Sequence, residues 1–388
     1  MSVRGTIVMV ASASVTADPR IIKEAEALVA DGWEVVVLAW DRARRDPERI
    51  ERDGWRIERV GPEAAHGGGP RNVAKYWRFW AEAAARCVAL APDVIHCHDL
   101  DTAIVAVRAR RRLPRLRVVL DFHELYRESR ALPQGGLPGV IARAAARLVE
   151  RTAIPKADVV VTVTSAHVAY YERLGARRVV LVENAPDLDR YTVVDRREDD
   201  FVVSFIGQKR WITGLVKLMQ AIQPHPHLKA LLAGGGTAAE EIARIASTME
   251  RIEVLGRVEP DEIPGLYHRC DAVYACYDAS LGNWRTTIPV KALEGMACGL
   301  PVIVTRGTWI GDFVEQHELG FAIDPLDVAE VEEVLLRLSS DRELAREMGR
   351  RGRAIIEGGL NWAAAARRLT DAYRGLAGEA GPGPDVVD

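Results

Sequence analysis

No apolar run in the 388 residues approaches the roughly 20 needed to cross a bilayer, so a membrane-spanning helix is excluded. Charge of one sign is also missing. The 52 Lys+Arg against 55 Asp+Glu leave a formal net charge of −3, without the basic excess of a chain built to coat nucleic acid. Cysteine is scarce. The five present (Cys87, Cys97, Cys270, Cys276, Cys298) are odd in number and mostly sit in apolar runs, which reads as free thiols in a reducing compartment and not a disulfide framework. The first residues, Met1 to Gly5, lead into a short apolar run, Thr6 to Ala13, without a cleavage-type signal, and a cytoplasmic location is the expectation. No short-period repeat is visible. What the chain does have is 48% hydrophobic and 28% charged residues, enough for substantial cores under a solvated surface and, at roughly 150 residues per domain, for two or three domains.

Short apolar runs alternate with longer helical patterns almost from end to end. Strands are expected at Thr6–Ala11, Glu34–Ala39, Arg56–Val60, Val94–His96, Val118–Asp121, Asp158–Thr162 and Val179–Val182. Runs apolar on both faces, such as Val35-Val36-Val37-Leu38, suit a parallel sheet covered on both sides. A helix is expected over Arg20–Ala30, with Asp18 as its cap, Pro19 at its first position and Gly32 beyond its end. After the charged connector Asp195–Asp200 the rhythm restarts with Phe201–Ile206, Leu228–Ala233, Ile252–Leu255, Ala272–Ala275, Val302–Val304 and Phe321–Ile323. Helices follow at Val328–Leu338, Arg342–Ile356 and Asn361–Leu376. Two such series predict an α/β chain of two doubly wound domains, in which loops after the strands carry the chemistry and a cleft between the domains is the natural site. The expected division is 1–190, 191–360, a helix over 361–377 packing back toward the first domain, and a disordered tail over 378–388.

The most informative segment runs from Ile288-Pro289-Val290-Lys291 through Glu294 and Gly299 to a buried strand at Val302. Pro289 can open a helix and Gly299 can end it. Lys291 and Glu294 share one helix face at i,i+3. A lysine in the first turn opposes the helix dipole, and an anion there would explain the placement. Backbone N–H groups around Thr286, Thr287 and Ile288 would complete an anion site.

This segment resembles the donor-site signature of the family 4 glycosyltransferases, whose GT-B fold has two facing Rossmann-like domains. Other segments agree in order and spacing: Asp18-Pro19-Arg20-Ile21-Ile22-Lys23-Glu24-Ala25, Pro92-Asp93-Val94-Ile95-His96-Cys97-His98-Asp99, Ala157–Ser165, Val182-Glu183-Asn184-Ala185-Pro186, Phe205-Ile206-Gly207, Leu232–Gly236 and Leu255-Gly256-Arg257-Val258. The resemblance covers about residues 6 to 376. It implies that Glu294 grips the ribose hydroxyls of a nucleoside-diphosphate sugar, a task suited to a carboxylate that accepts two hydrogen bonds. It implies that Gly234, Gly235 and Gly236 let backbone approach the nucleotide, and that backbone near Arg257 and Val258 meets the base. Two departures stand out. The family's usual first Glu, eight positions before Glu294, is Thr286 here, so sugar contacts fall to Asn283, Thr286, Thr287 or backbone amides. The usual basic residue before Gly214 is Thr213, so Lys209 and Arg210 are the expected substitutes on the diphosphate.

His96 and His98 fall on one face at the end of a strand, and Asp121, His123 and Glu124 end the next. Such a set can be read as a metal site, but the helix-borne histidine pair of many zinc hydrolases is missing, and no metal or cofactor is expected. By resemblance, His123 is the active-site histidine beside the reacting sugar, orienting and polarising by a hydrogen bond. By the same resemblance His98, Asp99 and Glu124 shape the acceptor pocket, and Ser14 and Thr16 close over the donor. The basic aromatic stretch Arg71–Trp80 reads first as core-facing, with contact to an anionic membrane surface as the lesser alternative. The expected activity is transfer of a hexose-type sugar from a UDP- or GDP-type donor to a small soluble acceptor, with retention of configuration and without a metal. Alternatives are an epimerase of the same fold and a catalytically lapsed nucleotide-binding protein. Oligomeric state is open.

Overall fold

The computed structural model of the chain describes residues 3–16, 18–65, 72–128, 132, 135–195 and 199–378. Arg71 of the basic aromatic stretch, residues 196–198 of the charged connector and residues 379–388 of the expected tail lie outside the described residues. The chain forms two units, Met1–Val182 with Ala365–Asp388, and Glu183–Ala364.

The first unit is built on eight strands: β1 (Thr6–Ala11), β2 (Glu34–Ala39), β3 (Arg49–Arg52), β4 (Trp55–Arg59), β5 (Val94–His98), β6 (Arg117–Phe122), β7 (Val159–Thr162) and β8 (Val179–Leu181). Their order is β3-β4-β2-β1-β5-β6-β7-β8, and every pairing is parallel except β3 with β4. From β1 the chain winds outward through β2 and β4, then returns to β5 on the other side. The carboxyl ends of β1 and β5 therefore flank the topological switch point, where such sheets leave a crevice. Val35 to Leu38 are fully buried, as a strand covered on both faces requires. The Asp18 carboxylate accepts from the Arg20 and Ile21 amides and starts the helix Pro19–Ala30, which is followed by Gly32 at φ +93°. The strand β3 was not among the expected strands. It joins β4 through Asp53-Gly54, with Gly54 at φ +78°, in a two-residue hairpin.

The second unit has six strands, β9 (Phe201–Ile206), β10 (Leu228–Ala233), β11 (Ile252–Leu255), β12 (Ala272–Tyr274), β13 (Val302–Thr305) and β14 (Gly320–Ile323). They are ordered β11-β10-β9-β12-β13-β14 and are all parallel. Here the switch point lies between β9 and β12. The helix Val290–Ala297 begins after Pro289 and ends at Gly299, whose φ of +71° lets the Gly299 and Leu300 amides turn back onto the carbonyls of Met296 and Gly295. It thereby feeds straight into β13.

The last helix is Trp362–Leu376, and the chain from Ala365 onward belongs to the first unit. There Tyr373 donates or accepts at His96 Nδ1 over 2.7 Å, and Arg374 pairs with Asp31. All five cysteines are free and buried. In the basic aromatic stretch, Phe79 is buried and Tyr76 and Trp80 pack on the core, whereas Trp77 is exposed under the guanidinium of Arg108.

Candidate functional site

In the second unit, at the carboxyl edge of the sheet, the loops that leave β9 and β12 meet the helix Val290–Ala297, while the loop after β10 packs on the β9 loop and bonds to the loop after β11. Lys291 is buried there, with its Nζ 3.6 Å from the centre of the Phe205 ring and 4.7 Å from that of Tyr277, and it donates to the Tyr277 hydroxyl. Tyr277 in turn stacks on Trp284 at 4.0 Å, with the two rings nearly parallel. Gly207 makes the approach possible, since a Cβ there would lie 3.1 Å from the lysine Cε and Nζ. Burial pulls the Lys291 ammonium down to about 7, against the opposing pull of Glu294. The helix start has no side-chain cap, so a cation of adjustable charge stands beside first-turn amides.

One turn on, the Glu294 carboxylate is held by two phenols. Tyr191 donates to Oε1 at 2.6 Å and Tyr267 to Oε2 at 2.8 Å. Each oxygen keeps a second lone-pair direction, so the group is oriented and still able to accept from a diol. Neither tyrosine was expected from the sequence. They lie 103 and 27 residues away in the chain, Tyr191 in a loop and Tyr267 at the end of the short helix Ile263–Tyr267.

Several expected donor-side residues do something else. The Lys209 side chain is fully buried, and its Nζ donates to the carbonyls of Leu232 at 3.0 Å and Leu255 at 2.6 Å. It ties together the ends of β10 and β11, and burial draws its ammonium down to about 8. Arg210, the other expected diphosphate cation, is exposed. The Thr287 amide donates to the Asn283 carbonyl at 2.9 Å, which removes it from the expected anion site. Asn283 and Thr286 lie in the short helix Gly282–Thr286, and Ile288 packs on the core. A Cβ at Gly234 would lie 2.2 Å from the Gly207 carbonyl oxygen, and one at Gly236 would lie 2.3 Å from that of Lys209. These two glycines therefore allow loop to pack on loop, while Gly235 faces open space. Arg257 is exposed beside Glu259, and Val258 packs on the core.

In the first unit the carboxyl ends of β5 and β6, the loops after them and the helix Pro19–Ala30 carry a buried polar cluster. Arg20 clamps Asp121 through two bonds, Nε to Oδ2 at 3.0 Å and Nη2 to Oδ1 at 2.9 Å. Its Nη1 donates to the Val182 carbonyl, and Glu24 Oε1 lies 2.9 Å from Nη2. The same Asp121 Oδ2 lies 3.2 Å from His98 Nδ1 and 3.0 Å from His123 Nε2. Asp99, at φ +65°, donates its amide to the Asp121 carbonyl and sets its own carboxylate 3.7 Å from His123 Nδ1. Burial opposes charge on His123, but Asp99 and Asp121 overcome it and lift the imidazole to about 9. Burial also moves its neighbours: His96 falls to about 3, His98 to about 4, and Glu24 rises to about 8. At neutral pH His123 is therefore a partly exposed imidazolium over a layer of neutral histidines, able to donate and not to accept. Glu124 follows it, half-buried, in the same loop. Ser14 and Thr16 turn to the Asp46 carboxylate, with Thr16 at 3.1 Å from each oxygen, so their hydroxyls lock two loops together.

Glu24, His96, His98 and Asp121 bring their ligand atoms within 4.8 Å of one another, close enough for comparison with a metal site. The Arg20 guanidinium already bonds both Asp121 oxygens, however, and a second cation would have to displace it.

Comparison with known proteins bears on the family and the fold. Residues 19–185 match the family described as glycosyl transferase 4-like domain, and residues 192–355 match glycosyl transferases group 1. A D-inositol 3-phosphate glycosyltransferase of Corynebacterium jeikeium is 27% identical over 49% of this chain and 48% of its own, and a glycogen synthase of Mycobacterium tuberculosis is 23% identical over 73% and 68%. The chain spans about half the length of the inositol-phosphate relative. Among solved structures, a sucrose-phosphate synthase from Thermosynechococcus elongatus superposes with a TM-score of 0.78 at 20% identity over 96% of this chain and 98% of its own. HepE of Anabaena, solved with UDP-glucose, gives 0.68 at 16% identity over 96% and 100%. With both units matched in order and both sheets wound as that fold requires, the chain belongs to the family 4 glycosyltransferases and has their two-domain GT-B fold.

Proposed function

We propose that the protein transfers a hexose-type sugar from a nucleoside diphosphate to a small acceptor, with retention of configuration and without a metal on the diphosphate. The observation that carries this reading is the Lys291–Glu294 helix face: a carboxylate fixed by two phenols beside a buried, proton-adjustable lysine at an uncapped helix start. In this reading Glu294 accepts from the ribose hydroxyls. Lys291 and the first-turn amides meet the diphosphate, with Arg210 in reach from its loop. Loss of the sugar leaves negative charge on the diphosphate, and preorganised donors at that point lower the barrier. His123, as an imidazolium, donates to a sugar or acceptor hydroxyl. The departing phosphate takes the acceptor proton on the front face. Relatives described as GDP-mannose-dependent and a fold neighbour solved with UDP support a UDP- or GDP-type donor.

A thermal-shift panel of nucleoside diphosphates tests the reading. UDP or GDP should raise the unfolding temperature, and the matching sugar donor should release free nucleotide only when an acceptor is added. A panel without any shift would overturn it, and acceptor-independent conversion of the sugar would point to epimerisation.

Lys291 gives the binding a pH signature. A diphosphate raises the pKa of a lysine that titrates at about 7 in the empty site, so binding takes up a proton wherever the pH lies above that value. Affinity should be full below about 7 and fall by about tenfold per pH unit above it, until the pKa of the bound state is passed. Calorimetry in buffers of different ionisation enthalpy reads the proton directly. In Lys291→Met the uptake should vanish.

A further inference from the structure

The helix Gly136–Ala153 in the first unit is apolar on its outward side. Its inner face is made of Gly139, Ala146 and Ala153 with Glu150, which accepts from Tyr170 at 2.8 Å. Outward stand Leu137 at 72% exposure, Val140 and Ile141 at 59%, and Leu148 at 64%. Leu137, Ile141 and Leu148 follow one another at helical spacing over about 16 Å of helix. Isolated exposed apolar residues are ordinary, but a row of this length on one helix marks a contact surface. Arg147 and Arg151 are exposed along one flank of the row. The only acidic residue of the helix, Glu150, is buried on the opposite face.

We infer that this face rests on an anionic lipid surface. An apolar stripe edged with arginine and devoid of exposed acid is complementary to acyl chains beneath phosphate headgroups. A second copy of the chain fits less well. The helix carries no exposed carboxylate that could receive Arg147 and Arg151 of a partner helix in such a pair. This contact is a different surface from the one considered for residues 71–80. It is independent of how the second unit holds a nucleotide.

Vesicle co-sedimentation of the full chain tests the inference. The protein should partition onto vesicles of phosphatidylcholine mixed with phosphatidylglycerol, and at least about tenfold less onto phosphatidylcholine alone. Arg147→Gln with Arg151→Gln should lower partition to the mixed vesicles by about 25-fold, near fivefold per arginine. Ile141→Glu with Leu148→Glu should abolish it, with the thermal unfolding transition unchanged because both side chains are exposed. Absence of binding to the mixed vesicles, or binding unaffected by the paired glutamates, would overturn the proposal. So would a dimer in solution that the paired glutamates dissociate, since the face would then belong to a second copy.

Discussion

Glu294→Ala should weaken nucleoside-diphosphate binding by about 100-fold while leaving the second unit folded. A hydrogen bond to a charged group is worth about 1.5–3 kcal/mol, so loss of two to the ribose diol amounts to at least about 3 kcal/mol. Part of the effect comes before any ligand arrives. Tyr191 and Tyr267 hold the carboxylate from both sides, and Tyr267 is fully buried. Truncation leaves the phenols without their acceptor, at a further cost of about 1–3 kcal/mol to stability for a buried group. Titration with the diphosphate and with its 2′,3′-dideoxy analogue separates the two effects. The parent protein should lose about as much affinity for the analogue as Glu294→Ala loses for the natural nucleotide, and the variant should not discriminate between them. Tyr267→Phe should fall between, because one phenol still orients the carboxylate. Equal affinity of parent and Glu294→Ala for the natural nucleotide would remove Glu294 from the site.

The helix Val290–Ala297 was legible because its signals are local: Pro289 before it, Gly299 after it, and Lys291 and Glu294 three residues apart on one face. The cap at Asp18 was legible for the same reason. Strands β1, β2, β9, β10 and β11 have the expected bounds, since their apolar runs need no partner to be recognised. The role of Lys209 was not legible. Its loop position predicts a solvated cation, but the carbonyls that draw the ammonium inward belong to strands 23 and 46 residues further on. Distance in the chain hid the tyrosine clamp on Glu294 in the same way. In the first unit the histidines could be picked out, but their charge states could not. Those depend on where Arg20 goes, and its bidentate partner Asp121 is 101 residues away. The strand β3 is a different case. The Asp53-Gly54 turn was a usable signal, but Arg49–Arg52 is a charged, largely exposed edge strand with no apolar alternation to mark it.

Arg20→Ala should destabilise the first unit by about 3–5 kcal/mol, the cost of removing one member of a buried ion pair and stranding the other. The guanidinium is more than nine-tenths buried and bonds both oxygens of Asp121 and the Val182 carbonyl. Asp121 is pulled well below the usual carboxylate range, with burial pushing upward and Arg20 and His123 prevailing. Without Arg20 that charge is left to His123 and His98. Arg20→Lys keeps a charge but not the fork, so roughly half of the loss should remain. A merely structural role predicts only the loss of stability. The charge network predicts more: Arg20 opposes the protonation of His123, so its removal should lift the His123 titration above its present value of about 9. The sign of the stability profile follows from that raised value. The His123 contribution is complete below the unfolded pKa near 6.5 and disappears as pH rises through the folded one. In Arg20→Ala that disappearance should move to higher pH, measurable by histidine-resolved NMR titration beside denaturant unfolding at several pH values. A loss below 1 kcal/mol with His123 titrating unchanged would show that the cluster is not coupled through Arg20.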